Sequence, residues 1–217
     1  MIGYRYEEKG ETYRQGKALR SWRPQFRIIL SWIEEGSKVL DVGCGDGVLG
    51  EYLIRDKNCT VYGIDLDPVG VAEARRRGVK ARIVDADNGL PYKNKSFDVV
   101  IVCGLLELVR KPDFVVAETL RVSERVIFSI SNFGFWLYRL EHLFGKFPSF
   151  ALYGHTWWET TQTTFFSLSD FLSLPSLQNA TVKRISCIDW KNKEVSKLAK
   201  LNPNLFGRNC IIEIEKP

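Results

Sequence analysis

The 217 residues suit a single domain, 1–217, and 45% hydrophobic with 26% charged residues is an ordinary globular composition. The net charge of +5 comes without a dense basic block, so nucleic acid is not expected as a partner. Five cysteines without C-x-x-C spacing and two histidines predict no metal site, and the lack of a signal-like or membrane-spanning apolar run predicts a cytoplasmic protein.

The first half of the chain alternates strand and helix patterns. Residues 1–20 are polar and are expected to form an N-terminal arm, after which Pro24 opens a helical pattern that ends at Gly36. The predicted strands cover 39–42, 60–64, 81–84, 97–102 and 126–130. Helices are expected from Val48, from the cap Asp67-Pro68 and from Pro112. This alternation predicts an α/β fold with a mainly parallel sheet and helices on both faces.

The second half is less regular. Twelve aromatic residues lie between Phe133 and Phe166, and about 131–170 is predicted to be an aromatic-rich helical cap inserted into the domain. The alternatives for this segment are a substrate lid or partner surface, a membrane-surface helix and an RNA-stacking surface. A short helix is expected near Ser169, and strand-like runs at 181–188 and 209–215 are expected to add an antiparallel edge.

A glycine-rich turn follows the first strand. Gly43-x-Gly45-x-Gly47 lies between a strand and a helix, where residues without a Cβ let the backbone turn sharply and approach a ligand. The carboxyl end of a strand in an open α/β sheet is also where such folds bind ligands. Asp41, at the end of the strand, can hold the loop or receive an ammonium group.

The next three strands each end in a group that suits a nucleoside. Asp65 follows the glycines by about twenty residues, the spacing at which a carboxylate accepts ribose hydroxyls. Asp85 and Ala86 follow the third strand and can recognise an adenine edge, while Cys103 follows the fourth and is expected to line the cleft floor. The glycine spacing does not fit G-x-G-x-x-G, which disfavours a dinucleotide.

Residues 37–130 resemble the class I S-adenosylmethionine-dependent methyltransferases. The resemblance rests on Val39 to Gly47, on Asp65, on Asp85 with Leu90-Pro91, and on Ser96 to Val100. It implies a Rossmann-like sheet of seven strands, one of them antiparallel. It also implies S-adenosyl-L-methionine as cofactor, with Gly43 and Gly45 near its methionyl part, Asp65 and the adjacent Leu66 near the ribose, and Asp85 with Ala86 near the adenine.

A narrower resemblance covers nearly the whole chain. Asn132-Phe133-Gly134-x-Trp136, Asn204-Leu205-Phe206 and the run 85–90 are similar to the MetW-type methionine biosynthesis proteins. The chain departs from that pattern at Ser131 and Phe135, and also at Gln162 and Thr164. This resemblance implies homoserine O-acetyltransferase as a possible partner.

Two functional hypotheses follow. In the first, the protein is a methyltransferase acting on an unknown small-molecule acceptor, and Glu107 is the best-placed candidate for a catalytic base, ahead of His142, His155 and Glu159. In the second, it is a MetW-like, non-enzymatic cofactor-binding partner of homoserine O-acetyltransferase. The cofactor motifs fit both hypotheses.

Overall fold

A computed structural model describes residues 24–148, 164–188 and 197–216. Its centre is a seven-stranded sheet with the strand order β3-β2-β1-β4-β5-β7-β6. The strands are β1 (Lys38–Val42), β2 (Thr60–Asp65), β3 (Lys80–Ile83), β4 (Val99–Cys103), β5 (Arg125–Ser131), β6 (Thr181–Ile188) and β7 (Asn209–Glu215). The helices are α1 (Pro24–Trp32), α2 (Val48–Lys57), α3 (Pro68–Arg76), α4 (Pro112–Val122), α5 (Trp136–Leu143), α6 (Leu168–Leu172), α7 (Lys197–Leu201) and α8 (Pro203–Phe206). Short 3-10 turns cover Ala86–Asn88 and Pro175–Leu177.

The predicted architecture is confirmed. Strands β1 to β5 pair in parallel, whereas β7 is antiparallel to both of its neighbours, β5 and β6. Crossovers between parallel strands place helices over the sheet, so the central strands are buried on both faces. Val100, Ile101 and Ile127, for example, are fully buried.

Two hydrophobic clusters lie on the two faces of the sheet. One contains residues of α4 and α6, such as Val115 and Phe171, packed on Val100 and Phe128. The other contains residues of α1, α2 and α3 packed on the opposite face. Helices therefore cover both faces, as the alternating pattern predicted.

Some predicted boundaries were wrong. Strand β4 begins at Val99 rather than 97, because the Phe97 N–H donates to the Val122 carbonyl at 3.2 Å instead of joining the ladder. Strand β3 ends at Ile83 rather than 84, although the Val84 N–H still donates to the Asp65 carbonyl of β2 at 3.0 Å. The first predicted helix ends at Trp32, four residues before Gly36.

The short helix α6 is capped by Ser167, not by Ser169. The Ser167 hydroxyl accepts from the Asp170 N–H at 3.2 Å, and the Asp170 carboxylate accepts from the Ser167 N–H at 2.8 Å. This reciprocal pair satisfies two backbone donors at the start of the helix, which a cap at Ser169 would not do.

Part of the predicted cap is described. Helix α5 buries Phe135 and Tyr138 in a small cluster with Phe133 and Leu137. Its opposite side exposes apolar side chains, with Leu143 at 77% and Phe144 at 72% exposure. The N-terminal arm 1–20 and most of the aromatic segment, including His155 and Glu159, lie outside the described residues.

Candidate functional site

The glycine loop curls over the end of β2. The N–H groups of Gly43 and Cys44 both donate to the Ile64 carbonyl, at 2.8 and 3.0 Å. Gly43 and Gly47 have φ of +80° and +78°, a conformation that favours glycine. A Cβ on Gly47 would lie 2.6 Å from the Ala74 backbone, so the loop can pack on α3 only with glycine there.

Asp65 joins the loop to the start of α3. One of its carboxylate oxygens accepts from the Gly45 N–H and the other from the Asp67 N–H, both at 2.9 Å. Asp67 in turn caps α3, as predicted, by accepting from the N–H groups of Val69 and Gly70. Leu66 lies between the two acids and is 39% exposed, so it offers apolar surface at this edge of the sheet.

The turn after β3 presents Asp85 and Ala86. The Asp85 carboxylate accepts from the Asp87 N–H at 3.0 Å and from the Asn88 amide at 3.1 Å. Asp85 also lies 3.5 Å from the exposed Arg110 guanidinium. Ala86 is buried in the cluster of the α4 side. These contacts fix the turn and leave the Asp85 carboxylate partly exposed, at 25%.

Asp87 has a role that the sequence did not reveal. It is buried, and its carboxylate accepts from the backbone N–H groups of Arg110 and Lys111 at 2.8 to 3.1 Å. Burial alone would raise the pKa of Asp87, but these N–H groups and the Arg110 side chain hold it below its ordinary value. Asp87 therefore anchors the loop after β4 to the turn after β3.

Asp41 lies at the end of β1, directly below the glycine loop. It pairs in register with Gly63 of β2 and Ile101 of β4 and is only 2% exposed. Burial, together with the nearby charges of Asp65 and Asp46, raises the pKa of Asp41 to about 7. Burial and Asp41 also raise the pKa of the Cys44 thiol, so Cys44 is a protonated, inert side chain at neutral pH.

The end of β4 carries Cys103 and, further along, Glu107. Cys103 is partly buried and packs against the cluster on the α1–α3 side. Glu107 is 1% exposed and accepts from the Ser131 N–H at 2.6 Å, while its own carbonyl accepts from the Thr164 N–H at 3.2 Å. Burial raises the pKa of Glu107, although its hydrogen bonds to Ser131 oppose this effect.

The strand order brings all eight predicted cofactor residues to one edge of the sheet. Because β3, β2, β1 and β4 are consecutive and parallel, their carboxyl ends lie side by side. That edge carries the predicted set Asp41, Gly43, Gly45, Asp65, Leu66, Asp85, Ala86 and Cys103. The candidate His142 instead lies on the exposed side of α5, where Nδ1 is 3.2 Å from the Lys146 carbonyl.

Asn132, at the end of β5, connects three distant segments. Its side-chain amide donates to the carbonyls of Asn204 and Gly207 at 2.9 and 2.7 Å, and its oxygen accepts from the N–H groups of Gly134 and Leu168 at 3.0 and 2.9 Å. Asn132 is fully buried. The two sequence motifs around Asn132 and Asn204 are therefore in contact, and they fix the backbone that leads into α5.

The described residues contain no group of histidine, cysteine and acidic side chains that could hold a metal ion. Within the same ranges, no helix is long and apolar enough to cross a membrane.

Solved structures share this fold. The putative methyltransferase in complex with the Trm112 activator of Haloferax volcanii aligns with a TM-score of 0.71 at 17% identity, covering 100% of both chains. The magnesium protoporphyrin IX methyltransferase of Synechocystis, solved with bound SAH, has a TM-score of 0.64 at 18% identity over 89% of this chain and 82% of that one. The fold is thus that of class I methyltransferases.

The chain is also similar in sequence to curated methionine biosynthesis proteins and methyltransferases. The bifunctional methionine biosynthesis protein MetXA/MetW of Rhodopirellula baltica is 28% identical over 201 residues, which is 87% of this chain and 32% of that protein. A ubiquinone biosynthesis O-methyltransferase of Pseudomonas fluorescens is 34% identical over 117 residues, 48% of this chain and 50% of that one. The chain therefore spans about a third to a half of these relatives. The family model "Methionine biosynthesis protein MetW" matches residues 23–214, and the chain belongs to that family.

Proposed function

We propose that this protein binds S-adenosylmethionine at the carboxyl edge of β1 to β4 and transfers its methyl group to a small-molecule acceptor. The observation that carries the proposal is the hydrogen bond from the Gly45 N–H to Asp65. It holds a carboxylate and the glycine loop together at a parallel-sheet edge, where such folds bind nucleosides.

The parts of the cofactor can be assigned to this edge. Gly43 and Gly45 leave the backbone open to the methionyl part, with Asp41 below it. The carboxylate of Asp65 retains lone pairs for ribose hydroxyls after accepting its two N–H groups. The exposed side chain of Leu66 would pack on the nucleoside, with Asp85 and Ala86 at the adenine.

Methyl transfer asks little acid–base chemistry of the protein. The sulfonium of S-adenosylmethionine is an activated methyl donor, so the chain's contribution is to orient donor and acceptor and to exclude water. Glu107 is a base candidate only for an acceptor that must lose a proton. Because its carboxylate accepts from the Ser131 N–H, Glu107 also positions the end of β5 beside the cleft.

Titration calorimetry with S-adenosylmethionine and S-adenosylhomocysteine tests the cofactor site. We expect micromolar binding to the wild type and at least a tenfold loss in Asp65→Ala, about 1.4 kcal/mol or more. Because Asp65 also holds the loop, Leu66→Glu is the second variant, since it changes an exposed side chain and leaves those hydrogen bonds intact. Asp56→Ala is the control, because Asp56 is an exposed carboxylate that pairs with its neighbour Arg55. Absence of binding of both ligands to the wild type would overturn the proposal.

A second candidate function is supported by the MetXA/MetW relative, in which a region similar to this chain is part of a bifunctional protein. In that role the chain would bind the cofactor without turnover and act on homoserine O-acetyltransferase. Co-purification with that enzyme, combined with failure to methylate a panel of small amines, thiols and carboxylates, would favour this role. Turnover of any acceptor by the isolated chain would favour the methyltransferase.

A further inference from the structure

Two cysteines face each other across β6 and β7. Cys187 of β6 and Cys210 of β7 are partners in the antiparallel register, so their side chains lie on the same face of the sheet. Their Sγ atoms are 3.1 Å apart, and one thiol donates a hydrogen bond to the other. Partners across antiparallel strands have the Cα spacing that a disulfide requires. The two thiols can therefore become a disulfide if the sulfur atoms approach each other by roughly 1 Å.

Two other buried cysteines provide a comparison. The Cys44 Sγ lies 3.8 Å from the Gly45 carbonyl, and the Cys59 Sγ lies 3.6 Å from the Lys57 carbonyl. These two thiols contact backbone oxygen atoms, which cannot form a bond to sulfur on oxidation. They serve as internal references for the reactivity of a buried thiol in this protein.

The sulfur atoms of the pair are shielded from water. Cys210 is fully buried and Cys187 is 3% exposed, and both belong to the hydrophobic cluster that also contains Ala199 of α7. The hydrogen bond between the two thiols, together with burial, raises the pKa of Cys210, so Cys210 is a thiol at neutral pH. Oxidation therefore requires a local opening. The short helices α7 and α8 both contact β6 and are the elements whose opening would expose the pair.

The pair lies against the junction that Asn132 forms. A Cβ on Gly207 would be 2.6 Å from the Cys187 Sγ, so this sulfur packs directly on the Gly207 backbone. The Gly207 carbonyl accepts from the Asn132 amide at 2.7 Å. The Cys210 Sγ is 3.9 Å from the Pro203 carbonyl at the start of α8. A bond between the two sulfur atoms would thus fix β6, β7 and the turn at Gly207 relative to Asn132.

We propose that Cys187 and Cys210 form a redox modification site, at which a low-molecular-weight disulfide such as oxidised glutathione converts the two thiols into an intramolecular disulfide that locks β6 onto β7. The site lies in β6 and β7 and does not depend on the proposed cofactor site.

The reaction proceeds in two exchange steps. The Cys187 thiolate attacks one sulfur of oxidised glutathione, so a mixed disulfide forms and one glutathione leaves. The Cys210 thiolate then attacks the Cys187 sulfur, and the second glutathione leaves. The two protein thiols lose two protons and two electrons, which oxidised glutathione takes up as it becomes two thiols. Cys187 reacts first because β6 is at the edge of the sheet, whereas the β7 strand of Cys210 lies between β5 and β6.

Peptide mapping of the folded wild-type chain tests the site. The protein is incubated at about pH 8 in buffers with graded ratios of reduced to oxidised glutathione, quenched with acid, alkylated in urea and digested with trypsin. The two cysteines then fall in separate peptides, Ile185–Lys191 and Asn209–Pro217, each with one cysteine. We expect these peptides to be joined by a disulfide that a reductant cleaves, while the other cysteines are recovered in alkylated form.

Three results would overturn the proposal. The first is recovery of both peptides with alkylated cysteines even in oxidised glutathione alone. The second is a disulfide that joins either peptide to a different cysteine. The third is a bond that forms only when urea is present during oxidation, because it would then be a property of the unfolded chain.

Single variants test the order of the two steps. Cys210→Ala should retain glutathione on Cys187, because the second thiol is missing. Cys187→Ala should carry little glutathione on Cys210, and the matched control Cys59→Ala should form the same disulfide as the wild type. Equal glutathione adducts in the first two variants would overturn this order. If a variant does not fold, the peptide map of the wild type still decides whether the site exists.

Thermal unfolding tests the locking of β6 onto β7. Cys187 and Cys210 are 23 residues apart, so a bond between them restricts the unfolded chain. We expect the Tm to rise by about 5 °C or more on oxidation, followed by circular dichroism with and without reductant. Cys187→Ala should show no such difference. An unchanged or lower Tm of the oxidised wild type would overturn the locking role.

Discussion

Two buried carboxylates lie at opposite edges of the sheet and differ in their surroundings. Asp41, at the carboxyl edge, has a pKa raised to about 7 by burial and by the neighbouring acids Asp65 and Asp46. Glu213, in β7 near the amino edge, is 2% exposed and forms ion pairs with both Arg125 and Arg184. Burial would raise the pKa of Glu213, but the two arginines lower it further than burial raises it.

The difference shows that buried charges in one sheet can have opposite effects on stability. Arg125 also donates to the Trp32 carbonyl. The cluster of Glu213, Arg125 and Arg184 therefore connects α1 to β5 and β7. The Arg184 Cζ lies 4.5 Å from the centroid of the Trp32 ring, so β6 also contacts the end of α1. A buried acid whose charge is paired holds elements together, whereas a buried acid that faces other acids, as Asp41 does, lowers stability when it is ionised.

Replacing Glu213, the paired acid, should have the largest effect on the free energy of unfolding. Glu213→Gln leaves Arg125, which is mostly buried, without its counter-charge, and we expect a loss of about 3 kcal/mol in the free energy of unfolding. Urea unfolding followed by circular dichroism measures it. A loss under 1 kcal/mol would show that the cluster is solvated and not structural.

Replacing Asp41 should change the free energy of unfolding with the opposite sign. Because the folded pKa of Asp41 is above its ordinary value of 3.8, its contribution to stability is lost as the pH rises from 3.8 to about 7. Asp41→Asn should therefore stabilise the unliganded protein by about 2 kcal/mol at pH 8. The gain should vanish near pH 4. Paired unfolding curves at the two pH values are the measurement, and equal gains at both would contradict the assignment.

The Glu213 ion pairs should weaken in acid. Since the folded pKa of Glu213 is below its ordinary value of 4.5, the stability it provides is present above pH 4.5 and is lost as the pH falls through the folded pKa. The wild type should thus lose stability below pH 4.5 more steeply than Glu213→Gln. Parallel slopes for the two proteins would rule out this source of acid sensitivity.

The smallest effect is expected at Glu215, also in β7. Its carboxylate pairs with Lys183 at 2.8 Å, but the two side chains are 39% and 50% exposed. Glu215→Gln should change the free energy of unfolding by less than about 1 kcal/mol, because solvent screens exposed pairs. This variant serves as the reference for Glu213→Gln. If both variants lost a comparable free energy of unfolding, burial of Glu213 would not explain the larger effect expected there.

The sequence predicted the features that depend on local pattern. The glycine turn, Asp65 at the end of β2 and the Asp67 cap follow from short motifs, and the structure places them at one edge as expected. The Ser167–Asp170 capping box also had a local signal, S-x-x-D, although the prediction placed the cap two residues later.

Contacts between distant residues could not be predicted in this way. Asp87 accepts from the N–H groups of Arg110 and Lys111, which are more than twenty residues further along the chain. Asn132 donates to the carbonyl of Asn204, which is 72 residues away in sequence. The position of Asp41 between Gly63 and Ile101 likewise depends on the register of the strands. Such pairings are set by how the strands associate, which periodicity does not encode.

The position of β7 has a consequence for synthesis on the ribosome. Among the described residues β7 is the last of the seven strands, yet it lies between β5 and β6 and is the only one of these strands that pairs with β6. While residues 209–215 are still inside the exit tunnel, β6 has no strand to pair with and the outer side of β5 offers an open row of N–H and C=O groups. The sheet can therefore be completed only after translation of residue 215, and until then these backbone groups are open to pairing with another chain.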